Sequence, residues 1–413
     1  MNAFFVIILV AVLVEFLLGV VSNLLNLSAL SSEAPEGLED VYEPDKYAKS
    51  QEYTKVNTGF DLITSTFKLA LLLTFWLFGG FNWLDQIVRD WELHVILSGV
   101  VYIGLLGIAY IVINLPFSIY KTFVIEAQFG FNKTTWGTFV MDRVKALGLA
   151  IVLGAPLLAA VLAFFEYGGD FAWLYAWVAI TIVMLAIQFI APTWIMPLFN
   201  KFTPLEPGEL RDSILDYARS VNFTVNNIMV MDGSKRSSKS NAFFTGFGKN
   251  KRIALFDTLV DNHTVTELVA VLAHEIGHYK KKHIIQSMVV NAINGLIVFF
   301  LLSIFLRSEG LFDAFFMDEM SKYAGLLFFG LLYTPVDIVL SMAMQYVSRR
   351  HEYEADRWSV ETYGRPNDLS GSLKKLSQDN LSNLGPHPFY VFLNYTHPPL
   401  KERIRAIEQP STS

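Results

Sequence analysis

Residues 273–278 read Ala-His-Glu-Ile-Gly-His. His274 and His278 stand four residues apart, so one helix face would present both imidazoles to a single ion. Glu275 then lies beside that ion, where it can take a proton from a water held there and pass it to a leaving amine. Gly277 lets another segment approach the helix closely. The chemistry is metal-assisted hydrolysis, with one Zn2+ per chain as the expected ion. A catalytic zinc takes three protein ligands and keeps a fourth position open. The chain has no cysteine, so the third ligand must be a histidine or a carboxylate.

Downstream candidates are His283, His351, Glu352, Glu354 and Asp356. In "SRRHEYEAD" (348–356), read as the start of a helix, Glu352 and Asp356 are four apart and share a face, while Glu354 points elsewhere. That spacing assigns Glu352 as ligand and Asp356 as the acceptor of a ligand histidine's N–H. The competing reading is a solvated acidic face neutralised by Arg349 and Arg350. His283 reads as a structural or solvated histidine. In "SNAFFTGFG" (240–248), an edge strand at Asn241 and Ala242 could pair with an extended peptide; an ordinary hairpin is the alternative. In "THPPLKERI" (396–404) a proline pair pins the chain before a helix. There His397 could donate to a developing oxyanion and Arg403 could hold a carboxylate, although each taken singly reads first as structural.

The elements that must position these groups are apolar. Of the 413 residues, 53% are hydrophobic and 17% charged, and the mean hydropathy is +0.40. Soluble domains carry about a quarter charged residues, so the composition points to a membrane protein with lipid around it. A net charge of −6, with no basic stripe or base-stacking platform, gives no footing to a nucleic-acid partner.

A bilayer core takes roughly 20 apolar residues as a helix. Seven stretches qualify: 3–27, 66–84, 95–117, 146–165, 171–191, 284–306 and 323–347. The first lacks a basic leader and a small-residue cleavage site, so it reads as a retained helix. Lys46, Lys49, Lys55, Lys121, Lys133, Arg143 and Lys145 concentrate in two connections, which makes those cytoplasmic. Both polar stretches, 192–283 and 348–413, then fall on the cytoplasmic side. Glu15, Lys68, Asn114, Gln188, Asn291, Asn294 and Asp337 lie within or beside spans; such groups face protein or water. Asn291 and Asn294 read as helix-to-helix hydrogen-bonding groups.

Between the fifth and sixth spans the pattern becomes α/β: an amphipathic helix at 207–221, strands at 227–231 and 252–256, and a helix from about 265. Thr264 and Glu267 form a capping box at its start. The expected fold is mainly α, a polytopic membrane protein with seven transmembrane helices and a small α/β metalloprotease domain. Residues 1–191 are the five-helix region, 192–283 and 348–413 the two parts of the protease domain, and 284–347 the transmembrane hairpin that splits it.

Together with the zinc motif, the stretches "YAKSQEYTK" (47–55), "FGFNKTTWGTFVMDRVK" (129–145), "APTWIMPLFNKFTPLEPGEL" (191–210) and "DGSKRSSKSNAFFTGFGKNKRIALFDTLV" (232–260) carry a family resemblance. So do "SRRHEYEAD" and "THPPLKERI". The chain resembles the type I CAAX prenyl endopeptidases, integral-membrane zinc proteases that process a-factor and prelamin A. The resemblance implies His274, His278 and Glu352 as zinc ligands, Glu275 as general base and Asp356 behind the ligands. It implies Asn241 and Ala242 as the substrate strand, with His397 and Arg403 near the active centre. It further implies seven helices around a water-filled chamber and a thermolysin-like site. The expected substrate is an extended peptide with a prenylated C-terminus, trimmed of three residues.

Lys239 replaces the family's usual His, Phe243 its usual Tyr, and Tyr279 a frequent Trp, departures that bear on substrate preference. The chain closes on "EQPSTS" without an extended tail or a recognisable ER-retrieval signal. An ER membrane, or a bacterial or archaeal plasma membrane, is the expected location. Two rivals stand beside this reading: a quality-control protease without prenyl dependence, and a non-catalytic membrane chamber or scaffold with a structural zinc.

Overall fold

The computed structural model describes residues 2–225, 227–245 and 252–408. Residues 246–248 of the "SNAFFTGFG" stretch and the last residues of the tail lie outside them. Among the described residues, seven helices are long and apolar enough to cross a membrane: Ala3–Ser28, Pro44–Leu77, Val95–Gln128, Trp136–Tyr167, Gly169–Phe199, His283–Phe305 and Lys322–Tyr363. Asn2 caps the first, its side chain accepting from the Phe5 N–H. The third, fourth and fifth carry π turns at Lys121–Ile125, Ala150–Gly154 and Ala191–Ile195, where prolines at 116, 156 and 192 disturb the regular ladder.

Two helices differ from the expected spans. The second begins at Pro44 and ends at Leu77, because its polar first third continues the helix beyond the apolar stretch. Gly79, at φ 72°, then turns the chain into a separate short helix, Gly80–Asp90. The seventh does not stop at 347 for a new helix to begin. It runs unbroken for 42 residues to Tyr363, about 60 Å at 1.5 Å per residue. A membrane span and "SRRHEYEAD" therefore share one rod.

The spans adjoin in a ring that the seventh also crosses, meeting the third and fourth. The first packs on the second and seventh, the third on the fourth, the fourth on the fifth, the fifth on the sixth and the sixth on the seventh. Phe60 and Phe67 of the second meet Phe117 of the third. A buried cluster around Trp76, Tyr102, Phe315 and Phe328 closes one end; a second, around Val41, Phe129 and Leu381, lies at the other. Of the polar residues within spans, Glu15 and Asp337 are exposed and Lys68 sits 5.7 Å from the Tyr110 ring. Asn294 accepts from the Tyr333 hydroxyl at 2.9 Å, a bond between the sixth and seventh spans.

At that second end a four-stranded sheet forms from β1 (Phe202–Pro204), β2 (Asn227–Met231), β3 (Ala242–Thr245) and β4 (Arg252–Phe256). The order is β1-β2-β4-β3. β2 and β4 run parallel, and β1 and β3 are antiparallel to their neighbours. Ile253 and Leu255 of β4 pack with Leu268, Leu272 and Ile276 of the helix Val265–Lys280, the motif helix. Its capping box forms as the sequence indicates: Thr264 Oγ1 accepts from Glu267 N–H, and Glu267 accepts from Thr264 N–H at 2.8 Å. Arg236 ties this domain to the spans through a two-pronged bond to Asp142, at 2.7 and 2.8 Å, and a third to the Phe199 carbonyl.

Candidate metal centre

The motif helix lies directly against the long seventh helix. A Cβ added at Gly277 would stand 3.1 Å from Ala355 Cα and 3.2 Å from its carbonyl oxygen, so any side chain here would press on the Ala355 backbone and glycine lets the helices meet this closely. The contact sets Glu352, one turn before Asp356, opposite the two motif histidines. His274 Nε2 lies 3.1 Å from His278 Nε2 and 3.4 Å from Glu352 Oε2. His278 Nε2 lies 3.2 Å from Glu352 Oε1.

These separations fit a metal. Ligand bonds of about 2.0–2.2 Å around a tetrahedral ion set neighbouring ligand atoms roughly 3.3 Å apart. Glu352 Oε2 is also buried without accepting a hydrogen bond, a costly condition that a bound cation relieves. Among the described residues, His274, His278 and Glu352 form the one cluster of three donors close enough to share an ion.

Behind this cluster, His274 Nδ1 donates to Asp356 Oδ1 at 2.8 Å, which fixes the tautomer and turns the Nε2 lone pair toward His278 and Glu352. Asp356 is held in turn by Arg403, through Nε at 2.8 Å and Nη2 at 2.6 Å. Burial by itself would lower the pKa of His274, but Asp356 and Glu352 outweigh it and push it up to about 10. The field at this point favours positive charge, which a divalent ion supplies in place of that proton. Burial pushes the Glu275 carboxyl above the ordinary glutamate range, with His274 and His278 pulling the other way. A base so raised accepts a proton more readily.

Glu275, Asn241, Ala242, His397 and Arg403 all line one cavity of about 490 Å3 with His274 and Glu352. β3 is the sheet edge. The Asn241 carbonyl accepts from Phe256 N–H, so by the alternation of an antiparallel pair the main-chain groups of Ala242 point away from β4, toward the open side. The Ala242 N–H meanwhile meets the Asn241 side chain at 2.8 Å. His397 is 63% exposed, with Nε2 3.4 Å from Glu352 Oε1.

One residue stands otherwise than expected. Arg403 is buried and directs its fork to Asp356, with Nη1 3.4 Å from Glu352, so its carboxylate partners belong to the protein. Of the two readings the sequence allows for His283, the structural one fits: it is 4% exposed and meets His278 Nδ1 at 3.0 Å. Its signal in the sequence is a histidine at the foot of an apolar span, close behind the motif.

A family model described as "CAAX prenyl protease N-terminal, five membrane helices" matches residues 23–201, and one for "Peptidase family M48" matches residues 204–411. CAAX prenyl protease 1 of Saccharomyces cerevisiae is 35% identical over 92% of this chain and 89% of its own length. The Arabidopsis thaliana homologue is 36% identical over 91% and 90%. The chain belongs to the CAAX prenyl proteases of peptidase family M48. It also matches the crystal structure of S. mikatae Ste24p, with a TM-score of 0.93, 33% identity and coverage of 99% and 100%. The chain is thus a multi-pass membrane metalloendopeptidase that acts on peptides. Lys239 lines the same cavity and holds Glu126 at 3.0 Å and the Tyr53 hydroxyl at 2.7 Å. Phe243 packs edge-on to Phe256.

Proposed function

We propose that this protein removes the C-terminal tripeptide of prenylated CAAX peptides, with zinc as its metal. The observation that carries the reading is the donor triangle of His274, His278 and Glu352, two members of which, His274 and Glu352, line one cavity with Glu275 and the Asn241–Ala242 end of the edge strand β3. Bound zinc would polarise the attacking water and the scissile carbonyl. The substrate pairs in extended form with the main chain at Asn241 and Ala242. Glu275 takes the proton of the attacking water and returns it to the departing amine. His397, exposed at the rim, donates toward the oxygen that gains charge, and Asp356 with Arg403 keeps His274 in its ligating tautomer.

The prenyl group anchors the substrate among the spans, whose ring contacts and polar Glu15, Lys68 and Asp337 support a hydrated chamber. The concentration of Lys and Arg in the connections supports a catalytic site on the cytoplasmic side. The test is Glu275→Gln in purified protein. It should retain wild-type zinc content and lose about 10²–10⁴-fold or more in cleavage of a prenylated reporter. Near-wild-type turnover would refute the base assignment. Equal cleavage of prenylated and unprenylated peptides would refute the substrate class.

A further inference from the structure

The two ligand histidines are supported in different ways. His274 leans on a carboxylate fixed by arginine, both from the protease part of the chain. His278 leans on another imidazole. Its Nε2 faces His274 and Glu352, so as a metal ligand it carries its proton on Nδ1. The Nδ1–H then donates to His283 Nδ1 at 3.0 Å, which must accept. His283 therefore bears its own proton on Nε2 and donates to Glu354 Oε2 at 3.1 Å. Arg350 Nε donates to the other oxygen of Glu354 at 3.1 Å. Each proton has one consistent place along this path.

We infer that His283 and Glu354 are positioning residues, a second relay that fixes the tautomer and ring plane of His278 and ties it to the membrane hairpin. The ring of His283 is immobilised. It stacks on His351 at 3.9 Å and 8°, and His351 is itself bound to Gln286 Oε1 at 3.0 Å. Lys282, at φ 61°, makes a left-handed turn that ends the motif segment and starts the sixth span on His283 itself. His283 opens the helix that forms one arm of the hairpin, and His351 and Glu354 stand on the helix that continues the other arm. A shift between the arms would tilt His278 and alter the ligand geometry.

Outer partners of metal-bound histidines are worth about 10–100-fold in metal affinity. His283→Leu fills the space without an acceptor, whereas His283→Asn keeps a polar acceptor beside His278. In the full-length protein, His283→Leu and Glu354→Leu should lose zinc to a competing chelator roughly 10–100-fold more readily than wild type. His283→Asn should recover most of that loss. The thermal midpoints of the metal-free proteins should stay alike. The relay is overturned if the leucine variants hold zinc as wild type does, if asparagine and leucine lose it equally, or if the leucine variants are destabilised without metal. The inference rests on the zinc reading above. Wild-type protein that holds no zinc would defeat both, whereas tight zinc in every variant would defeat the relay alone.

Discussion

Side-chain chemistry separates what a linear spacing can state from what it cannot. The i, i+4 pairs His274/His278 and Glu352/Asp356 are legible because a helix places such residues on one face. The part played by Arg403 is not, since nothing local says that its fork meets Asp356 from forty-seven residues away. His283 and Glu354 escaped for the same reason: they meet only when the two arms of the hairpin pack. Arg403 gives the sharpest prediction here. Lysine would keep the charge but not the two-pronged geometry, leaving Asp356 poorly held while still neutralised. Arg403→Lys should fold, bind zinc about 10–100-fold more weakly and cleave correspondingly less at low zinc. Excess zinc should restore part of that activity. Zinc competition curves that overlay those of wild type would show that charge alone suffices.

Helices and strands were largely readable where periodicity or capping marks them. β2, β4 and the motif helix follow from apolar runs and the Thr264–Glu267 box. The short β1 and the polar foot of the second span carry too little apolar signal, and their structure depends on neighbours. The contact between motif helix and seventh helix sets the distance between the histidines and Glu352, and Gly277 sits at its closest point. Gly277→Ala would gain helix propensity, by up to about 1 kcal/mol. Its methyl would nonetheless press on Ala355 backbone at 3.1–3.2 Å, and overpacking of that kind costs typically about 1–3 kcal/mol. The net effect should be lower thermal stability together with weaker zinc binding, read by unfolding with and without added metal. A variant more stable than wild type with unchanged zinc affinity would mean that the helices part without moving the ligands.

At the scale of the molecule, the sequence announces seven spans but not their ring order, because apolar faces of similar composition do not name their neighbours. Nor does it show that the last span and the Glu352 segment are one rod, since hydropathy ends where the helix does not. That continuity has a thermodynamic consequence. Of the three candidate donors, His274 and His278 come from before the hairpin and Glu352 from after it, on a helix that also builds the bundle through contacts with the first, third and sixth spans. A metal held at His274, His278 and Glu352 therefore clasps the protease part to the bundle. A ligand that binds only the folded state stabilises by about 2.7 kcal/mol at a hundredfold excess over its Kd. Removing zinc with a chelator should lower one shared unfolding transition, followed in parallel by tryptophan fluorescence and by proteolysis of the spans. Readdition of zinc should raise it again in proportion to the logarithm of its concentration. Should the protease part instead melt alone, with the spans unfolding at an unchanged temperature, the rod does not couple the two.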